Sequence, residues 1–239
     1  MKIFDQHDYT EEHLRNYIQH YSSGKRKIKI KIVSWLIGDI QGKSVLDIGV
    51  GSGFFSRLCI QNKAKTISLD FADAIIQYHR KTNPDFKLVQ SDAQHLPFKN
   101  ESFDIVLALD VIEHLYSALD FLNEVNRVLR KDGRLILMTP NTSNVFEKTL
   151  KAFLKIPLFM GNKISAQKAE QSHAESTHVK EFSVRELTSL IKESKFKICT
   201  FNTYNENILY KILDPSISLI FQCHLKRYKW RKAYFLLEK

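Results

Sequence analysis

The sequence lacks the common marks of an exported or membrane-spanning protein. No apolar run reaches the length of about 18 residues that a transmembrane helix needs. Residues 1–8, MKIFDQHD, have no apolar core like that of a signal peptide. The cysteines are only three, Cys59, Cys199 and Cys223, and they form no CxxC pair. We therefore expect neither a disulfide scaffold nor a zinc site, and we expect buried thiols in a reducing cytoplasm.

The remaining composition is that of a globular protein with an excess of basic residues. Hydrophobic residues make up 44% and charged residues 26% of the 239 positions, enough for one α/β domain with a full core. The formal net charge is +10 at pH 7. This charge indicates either an anionic partner, such as nucleic acid, a membrane surface or a phosphorylated substrate, or a lysine-rich surface that is simply solvated.

From residue 44 onward, apolar patterns of strand length alternate with patterns of helix length. This alternation predicts parallel βαβ units, and nearly all-apolar strands predict a sheet that is covered on both faces. Ser183, followed by Glu186, predicts the N-terminus of the last helix by a capping box. The predicted strands are Ser44–Ile48, Thr66–Leu69, Phe86–Val89, Ile105–Leu109, Leu135–Met138, Phe196–Phe201 and Ala233–Leu237. The predicted helices are Phe54–Asn62, Ala72–Lys81, Ala118–Leu129 and Val184–Glu193.

Two stretches lie outside this alternation. Residues 1–43 predict an N-terminal helical cap, whose second helix runs from Lys25 to about Ile37 and begins with a basic cluster, Lys25–Lys31. Residues 44–239 then form one domain. Within that domain the pattern breaks at about 141–181, which we interpret as a lid-like insertion.

The most informative segment is a strand, a glycine turn and a helix in immediate succession. The apolar strand Val45–Ile48 leads into Gly49, Gly51 and Gly53, and apolar residues at helical spacing follow. Glycines let a ligand approach the backbone, and a helix N-terminus offers unpaired N–H groups. The dinucleotide fingerprint requires glycine at relative positions one, three and six. Phe54 occupies the last of these positions, which disfavours a nicotinamide dehydrogenase.

The Gly-x-Gly-x-Gly pattern, with Asp47 two residues before it, resembles motif I of the class I S-adenosylmethionine-dependent methyltransferases. The resemblance spans about Val45 to Asn141, and a weaker resemblance covers Phe182–Phe201. It indicates the small-molecule branch of the family, which includes quinone-ring O-methyltransferases. It implies a Rossmann-like, doubly wound α/β fold, with a mostly parallel seven-stranded sheet, helices on both faces and an antiparallel last strand. Five further segments match motifs of the family and occur in the family's order: Ser68–Phe71, Ser91–Phe98, Ser102–Val106, Asp110–Leu115 and Val128–Leu135.

The resemblance implies S-adenosylmethionine as cofactor, S-adenosylhomocysteine as product, and no metal. Asp70 lies near the offset of about 20 residues at which an acid meets a ribose diol, although alone it would serve equally well as a helix N-cap. Asp92 with the Ala93 N–H is expected at the adenine, and Asp110 near the methionine part. The cofactor residues implied are Asp47, Gly49, Val50, Gly51, Gly53, Asp70, Phe71, Asp92, Ala93, Leu109 and Asp110.

Methyl transfer is an in-line displacement at a carbon that positive sulfur already activates, so positioning supplies most of the acceleration. A neutral hydroxyl acceptor would also need a general base, and His114, His173 and His178 are the candidates. Solvated or hydrogen-bonded structural histidines are the favoured interpretation of His173 and His178, and for the pair Glu113–His114 it is an anchor at the start of a helix. The histidines form neither HxH nor HExxH, which gives no support to a metal site.

Two other functions fit parts of the sequence. A nucleic-acid methyltransferase, acting on RNA for example, would use the basic charge, but the Asn/Asp-Pro-Pro-aromatic tetrad and a Pro-Cys dipeptide are absent. A non-catalytic S-adenosylmethionine-binding module would keep the loop and the acids without turnover. The apolar segment Ile208–Cys223, which basic residues follow, is either a core helix or a contact with a membrane or a lipid-like acceptor. The acceptor and the oligomeric state stay open.

Overall fold

The computed structural model describes residues 27–141, 179–204 and 232–239. In these ranges no helix is long and apolar enough to cross a membrane. A short 3-10 helix, Ile112–His114, lies between the fourth strand and the fourth helix. The α-helices are α1 (Lys27–Ile37), α2 (Phe54–Gln61), α3 (Asp73–Thr82), α4 (Ala118–Val128) and α5 (Val184–Glu193). The strands are β1 (Ser44–Ile48), β2 (Lys65–Asp70), β3 (Lys87–Gln90), β4 (Phe103–Leu109), β5 (Leu129–Pro140), β6 (Lys197–Tyr204) and β7 (Lys232–Glu238).

The seven strands form one sheet in the order β3-β2-β1-β4-β5-β7-β6. All neighbours are parallel except β7, which is antiparallel to both β5 and β6. The chain therefore builds outward from β1 in one direction and then, starting at β4, in the other. A crevice forms at such a switch point outside the carboxyl ends of the strands, and doubly wound folds bind ligands there. The doubly wound sheet with its antiparallel last strand is confirmed.

The strand β4 shows how the sheet receives helices on both faces. Alternate side chains of a strand point to opposite faces. In β4, Ile105, Leu107 and Leu109 pack in one cluster with apolar side chains of α1 and α2. The intervening Val106 and Ala108 pack in another cluster with α4 and α5. Both clusters are buried, so the prediction of helices on both faces is confirmed.

The helix α5 begins where its local sequence signal places it. The Ser183 hydroxyl accepts a hydrogen bond from the Glu186 N–H at 3.2 Å, and Glu186 Oε2 accepts one from the Ser183 N–H at 2.9 Å. This reciprocal pair is a capping box, because each side chain satisfies a backbone N–H group that the first turn leaves without an intrahelical partner. The predicted bounds of this helix, Val184–Glu193, are confirmed.

The strand β5 is longer than its pattern predicts, and α4 is shorter. The predicted strand was Leu135–Met138, whereas β5 covers Leu129–Pro140. Leu129 pairs with Phe103, and the next pair joins Arg134 to Ile105, so residues 130–133 form an irregularity in the ladder. The helical pattern up to Leu129 was wrong at its last residue because pairing with β4 takes that residue into the sheet.

Parts of the predicted cap and insertion lie outside the described residues. These parts are residues 1–26 and 142–178, and the second of them includes both His173 and His178. Asn141, the first residue of the predicted insertion, forms a parallel β-bridge with Phe182, the residue directly after the insertion. The apolar segment Ile208–Cys223 also lies outside the described residues.

Candidate functional site

The three glycines after β1 have backbone conformations that a side chain would strain. Their φ angles are 74° at Gly49, 47° at Gly51 and 73° at Gly53, in the left-handed region that favours glycine. An added Cβ would lie 2.6 Å from Val111 at Gly49 and 2.7 Å from His79 at Gly53. The loop therefore presents its backbone at the carboxyl end of β1, where a ligand can approach it closely.

His79 of α3 and Asn83 of the following turn support the glycine loop through hydrogen bonds. His79 is buried, and its Nε2 donates a hydrogen bond to the Gly51 carbonyl at 2.8 Å. Its Nδ1 lies 2.9 Å from the Asn83 amide nitrogen, which fits a neutral ring that donates through Nε2 and accepts through Nδ1. Burial lowers the pKa of His79, in agreement with the neutral form. Sequence reasoning missed His79, because nothing in a helical histidine indicates a distant loop.

Asp70, at the end of β2, contacts the glycine loop directly. Its Oδ2 accepts a hydrogen bond from the Gly51 N–H at 3.2 Å, and its Oδ1 accepts one from the Ala72 N–H at 3.0 Å. The N-cap of α3 is Ala72, whose side chain makes no capping bond, and Asp70 lies two residues before it. Burial raises the pKa of Asp70, which the bonds from these N–H groups oppose. Asp70 thus orients the loop and lies at the edge where a ligand would meet it.

Asp47 lies beneath the loop and connects β1, α2 and β2. Its carboxylate is 3% exposed and accepts a hydrogen bond from the Ser56 hydroxyl at 2.6 Å, and Ser56 in turn accepts one from Ser68 at 2.7 Å. Burial raises the pKa of Asp47 to about 7, although the bond from Ser56 and the charge of Lys29 act in the opposite direction. These contacts tie the end of β1 to α2 and β2 beneath the glycine loop.

The segment after β3 forms the next part of the same edge. Asp92 Oδ1 accepts hydrogen bonds from the backbone N–H of Gln94 at 2.8 Å and from its side-chain amide at 3.2 Å. The side-chain oxygen of Gln94, Oε1, accepts a bond from the Ser117 N–H at 2.7 Å, which connects this segment to α4. Ala93 is buried, whereas Phe71, which follows β2, is 53% exposed.

Asp110, directly after β4, is held between two lysines. Its Oδ2 lies 2.8 Å from Lys29 Nζ of α1, and its Oδ1 lies 2.5 Å from Lys232 Nζ of β7. Burial would raise the pKa of Asp110, but the charges and hydrogen bonds of Lys232 and Lys29 outweigh it and hold the pKa well below its usual range. Asp110 also has a positive φ of 64°, uncommon for a residue with a side chain.

Sequence reasoning missed both lysines. A signal for Lys29 was available, because this residue shares a helical face with Val33, Leu36 and Ile37, all of which are buried. A lysine on such a face, 1% exposed, needs a buried anionic partner. The sequence offered no comparable signal for Lys232, which was predicted to lie just before the last strand.

Glu113 and His114 lie in the 3-10 helix that follows Asp110. Glu113 is fully buried, and its Oε2 accepts a hydrogen bond from the Thr139 hydroxyl at 2.9 Å. Its backbone carbonyl accepts bonds from the N–H groups of Val179 and Lys180 at 2.9 and 3.1 Å. Burial, together with the charge of Asp110, raises the pKa of Glu113. Glu113 thus connects the 3-10 helix to β5 and to the segment before α5. His114 is half-buried at the same edge.

Most of the predicted site residues therefore meet at one place. The glycine loop, Asp70, Asp92 and Asp110 lie at the carboxyl ends of β1, β2, β3 and β4, where open α/β sheets bind their ligands. Within the ranges that the structure describes, no three His, Cys, Asp or Glu residues are grouped so as to hold a metal ion.

Comparisons with known proteins agree with this geometry. Residues 46–137 match the family model described as a methyltransferase domain. The chain is 26% identical over 157 residues to a probable S-adenosylmethionine-dependent methyltransferase of Mycolicibacterium smegmatis, covering 66% of this chain and 53% of that protein. It is 27% identical over 176 residues to a demethylmenaquinone methyltransferase of Thermotoga maritima, covering 70% and 76%. The chain spans about half the length of the mycobacterial relatives that it matches.

A solved structure shows the same fold. A SAM-dependent methyltransferase from Archaeoglobus fulgidus superposes with a TM-score of 0.64 at 16% sequence identity, covering 94% of this chain and 99% of that one. The matched domain, the relatives and the sheet order lead to one assignment. Over the matched domain, residues 46–137, the chain is similar to the class I S-adenosylmethionine-dependent methyltransferases.

Proposed function

We propose that this protein binds S-adenosylmethionine at the carboxyl edge of its sheet and transfers the methyl group to a small-molecule acceptor. The observation that carries the proposal is the glycine loop at the switch point between β1 and β4, with Asp70 bonded to the Gly51 N–H. Glycine conformations, a carboxylate at the end of β2 and a crevice at the switch point together suit a ligand with a ribose diol.

Each proposed cofactor residue has a chemical reason. An ionised carboxylate has about four lone-pair sites, so Asp70 can keep its two N–H donors and still accept bonds from a diol. Asp92 and the Ala93 N–H would contact the adenine, and the exposed Phe71 ring would cover it. The backbone of Gly49, Val50, Gly51 and Gly53, above Asp47, would lie against the cofactor, and Leu109 and Asp110 would flank its methionine part.

The reaction requires little chemistry from side chains. The acceptor atom attacks the methyl carbon opposite the sulfonium sulfur, so the protein has to align the two reactants and exclude water. If the acceptor is a neutral hydroxyl, a base must take its proton, and His114 is the described candidate at this edge. His173 and His178 remain proposals from the sequence.

The class of acceptor is the finer part of the proposal. A small molecule is favoured because one relative, that of Thermotoga maritima, is named for methylation of demethylmenaquinone, a small molecule. We propose that the acceptor pocket forms from the cap of residues 1–43, the segment after β4 and the insertion at about 141–181. The basic composition and the segment Ile208–Cys223 make an anionic or lipid-like acceptor the first to test.

Calorimetric titration of the purified protein tests the cofactor assignment. The wild type should bind S-adenosylmethionine and S-adenosylhomocysteine but not NAD. Asp70→Ala should weaken both by about tenfold or more, because a hydrogen bond to a charged group is lost. Asp85→Ala is the matched control, since Asp85 is an exposed carboxylate in the turn before β3. A folded wild type that binds neither ligand would refute the proposal.

Turnover separates an enzyme from a binding module. Formation of S-adenosylhomocysteine in the presence of small-molecule acceptors is the expected result. Tight binding without turnover on small molecules, but with turnover on RNA, would move the acceptor class to nucleic acid. Binding without turnover on either class would favour a non-catalytic module.

A further inference from the structure

We infer that a cavity at the amino edge of the sheet, opposite the proposed cofactor edge, binds a small ligand that carries a phosphate group on an apolar or aromatic body. The cavity has a volume of about 390 Å³. The residues that carry the argument are Ser44, Lys65, Lys87, Phe98, Lys99 and Phe103, all of which line it. The inference goes beyond the proposed function and does not depend on it.

The cavity lies where four neighbouring strands begin. Its lining includes the first residues of β1, β2, β3 and β4, which are Ser44, Lys65, Lys87 and Phe103. These strands are parallel neighbours, so their first residues share one edge of the sheet. The glycine loop follows the opposite end of β1. A ligand in this cavity would therefore not occupy the crevice proposed for S-adenosylmethionine.

Two of the lysines lie on the same face of the sheet. Lys65 and Ile67 are two residues apart on β2, and Ile67 is in register with Lys87 on β3. Strand spacing and rise per residue give about 8 Å between the Cα atoms of Lys65 and Lys87. Two flexible lysine side chains can span this distance and contact one anion together. Lys99 lines the same cavity from the segment before β4.

The positive charge of these lysines is not neutralised by an ion pair. In residues 27–141, 179–204 and 232–239, no carboxylate is paired with Lys65, Lys87 or Lys99. The two carboxylates around the start of β4 already have basic partners. Asp104 lies 2.8 Å from Arg130, and Glu101 lies 3.7 Å from Lys239. The three ammonium groups are therefore available to an anionic ligand.

The wall of the cavity is held in place before any ligand arrives. The Arg127 guanidinium donates hydrogen bonds to the carbonyls of Leu96 at 2.9 Å and of Phe98 at 2.7 Å. The Ser102 hydroxyl donates to the Lys99 carbonyl at 2.7 Å, and the Ser102 N–H donates to Val128 of α4 at 2.8 Å. A wall fixed in this way lowers the ordering cost of binding a small ligand.

The remaining lining indicates the body of the ligand. The rings of Phe98 and Phe103 meet edge to face with centroids 5.0 Å apart, and Ile67 and Phe98 pack against the core. Small-molecule sites are commonly concave, mostly apolar and about 300–1,000 Å³ in volume. A phosphomonoester carries a charge of about −2 at pH 7, and lysine is a common phosphate binder. An apolar floor beside three lysines therefore suits such an ester.

The compound 1-naphthyl phosphate is a suitable probe, because it joins an aromatic body to one phosphate group. Calorimetric titration should show that the wild type binds it, with the same affinity in the presence and absence of S-adenosylhomocysteine. The neutral analogue 1-naphthol should bind about tenfold more weakly or less, because it lacks the group that the lysines would contact. Added salt should weaken only the binding of the phosphate.

A pair of double variants separates a local site from the general basic charge. Lys65→Met combined with Lys87→Met should weaken 1-naphthyl phosphate binding by about tenfold, or about threefold for each exposed lysine. The control combines Lys31→Met with Lys192→Met, exposed lysines of α1 and α5, and removes the same charge. It should change the affinity by less than about twofold, since distant exposed charges are screened. Thermal unfolding checks each variant.

Four results would overturn the inference. A folded wild type that does not bind 1-naphthyl phosphate would show that the cavity is not a phosphate site. Equal loss of affinity in the two double variants would reduce the effect to net charge. Displacement of the probe by S-adenosylhomocysteine would place it at the cofactor edge. Binding of an RNA oligonucleotide that is tighter than that of the probe, competes with it and needs Lys65 and Lys87 would reassign the surface to nucleic acid.

These outcomes are distinguishable from a failure of the proposed function. A folded wild type that binds 1-naphthyl phosphate but neither S-adenosylmethionine nor S-adenosylhomocysteine would refute the proposed function and support this inference. Binding of the two cofactor compounds without binding of the probe would do the reverse.

Discussion

Gly53, the N-cap of α2, offers a sharp test of how the glycine loop is built. In Gly53→Ala, the new Cβ would lie 2.7 Å from His79 Cε1 and 2.8 Å from Phe86 Cε2. Neither ring can move away cheaply, because His79 is buried, bonded to Gly51 and Asn83, and stacked on Phe86 with ring centroids 5.3 Å apart. The substitution therefore combines backbone strain with an overpacked core.

The matched control is Gly42→Ala in the turn before β1. Gly42 has a similar φ of 76°, but an added Cβ would meet nothing within 4 Å. We expect Gly42→Ala to cost about 1 kcal/mol, from the left-handed backbone alone. Gly53→Ala should cost about 2–4 kcal/mol, because overpacking adds about 1–3 kcal/mol to the same strain.

Urea denaturation of the two variants and the wild type measures both free energies of unfolding. For a chain of this length, a difference of 1 kcal/mol corresponds to a shift of about 2–4 °C in Tm, so thermal unfolding can check the order. Gly53→Ala should also weaken binding of S-adenosylhomocysteine, whereas Gly42→Ala should not. If Gly53→Ala cost no more than Gly42→Ala, the reasoning about a packed loop would be wrong.

Two further predictions concern residues away from the loop backbone. Ser183→Ala removes the capping box of α5 and should lower the free energy of unfolding by about 1 kcal/mol in urea denaturation, with no change in cofactor affinity; Ser34→Ala, an exposed serine inside α1, is its control. Asp47→Asn tests the buried carboxyl. Folding raises the pKa of Asp47 to about 7, so between about pH 4 and 7 the folded protein keeps a proton that the unfolded chain has released. The free energy of unfolding of the wild type should therefore fall as the pH rises from about 4 to 7. The stability of Asp47→Asn relative to the wild type should therefore rise over that range, and a flat difference would contradict the raised pKa.

Most of the fold could be predicted because its signals are local. The alternation of apolar patterns located six of the seven strands to within three residues at either end, and the Ser183 and Glu186 pair located α5. The prediction failed where pairing overrides local preference. Leu129 continues the apolar stripe of α4, yet it pairs with Phe103 in the sheet, because hydrogen bonding to β4 is not visible in a helical pattern.

The candidate site divides in the same way. The glycine spacing and the acid at the end of β2 were readable because each follows a strand that is itself readable. The partners of His79, Lys29 and Lys232 were not readable, since each of these residues acts on a residue far away in the sequence. Lys29 and Lys232 lie 81 and 122 positions from Asp110, the carboxylate that they share. His79 lies 28 positions from the Gly51 carbonyl to which it bonds.

The sequence by itself determined the class of fold, the edge of the sheet at which a ligand would bind and the superfamily that the motifs resemble. Apolar periodicity and glycine spacing involve only a few neighbouring residues, so both patterns are visible in the amino-acid sequence. Only the tertiary structure decided which charges meet at that edge, because the pairing of Lys29, Asp110 and Lys232 depends on how α1, β4 and β7 pack together. Burial, which sets the ionisation of Asp47 and Glu113, likewise exists only once the sheet and its helices have assembled.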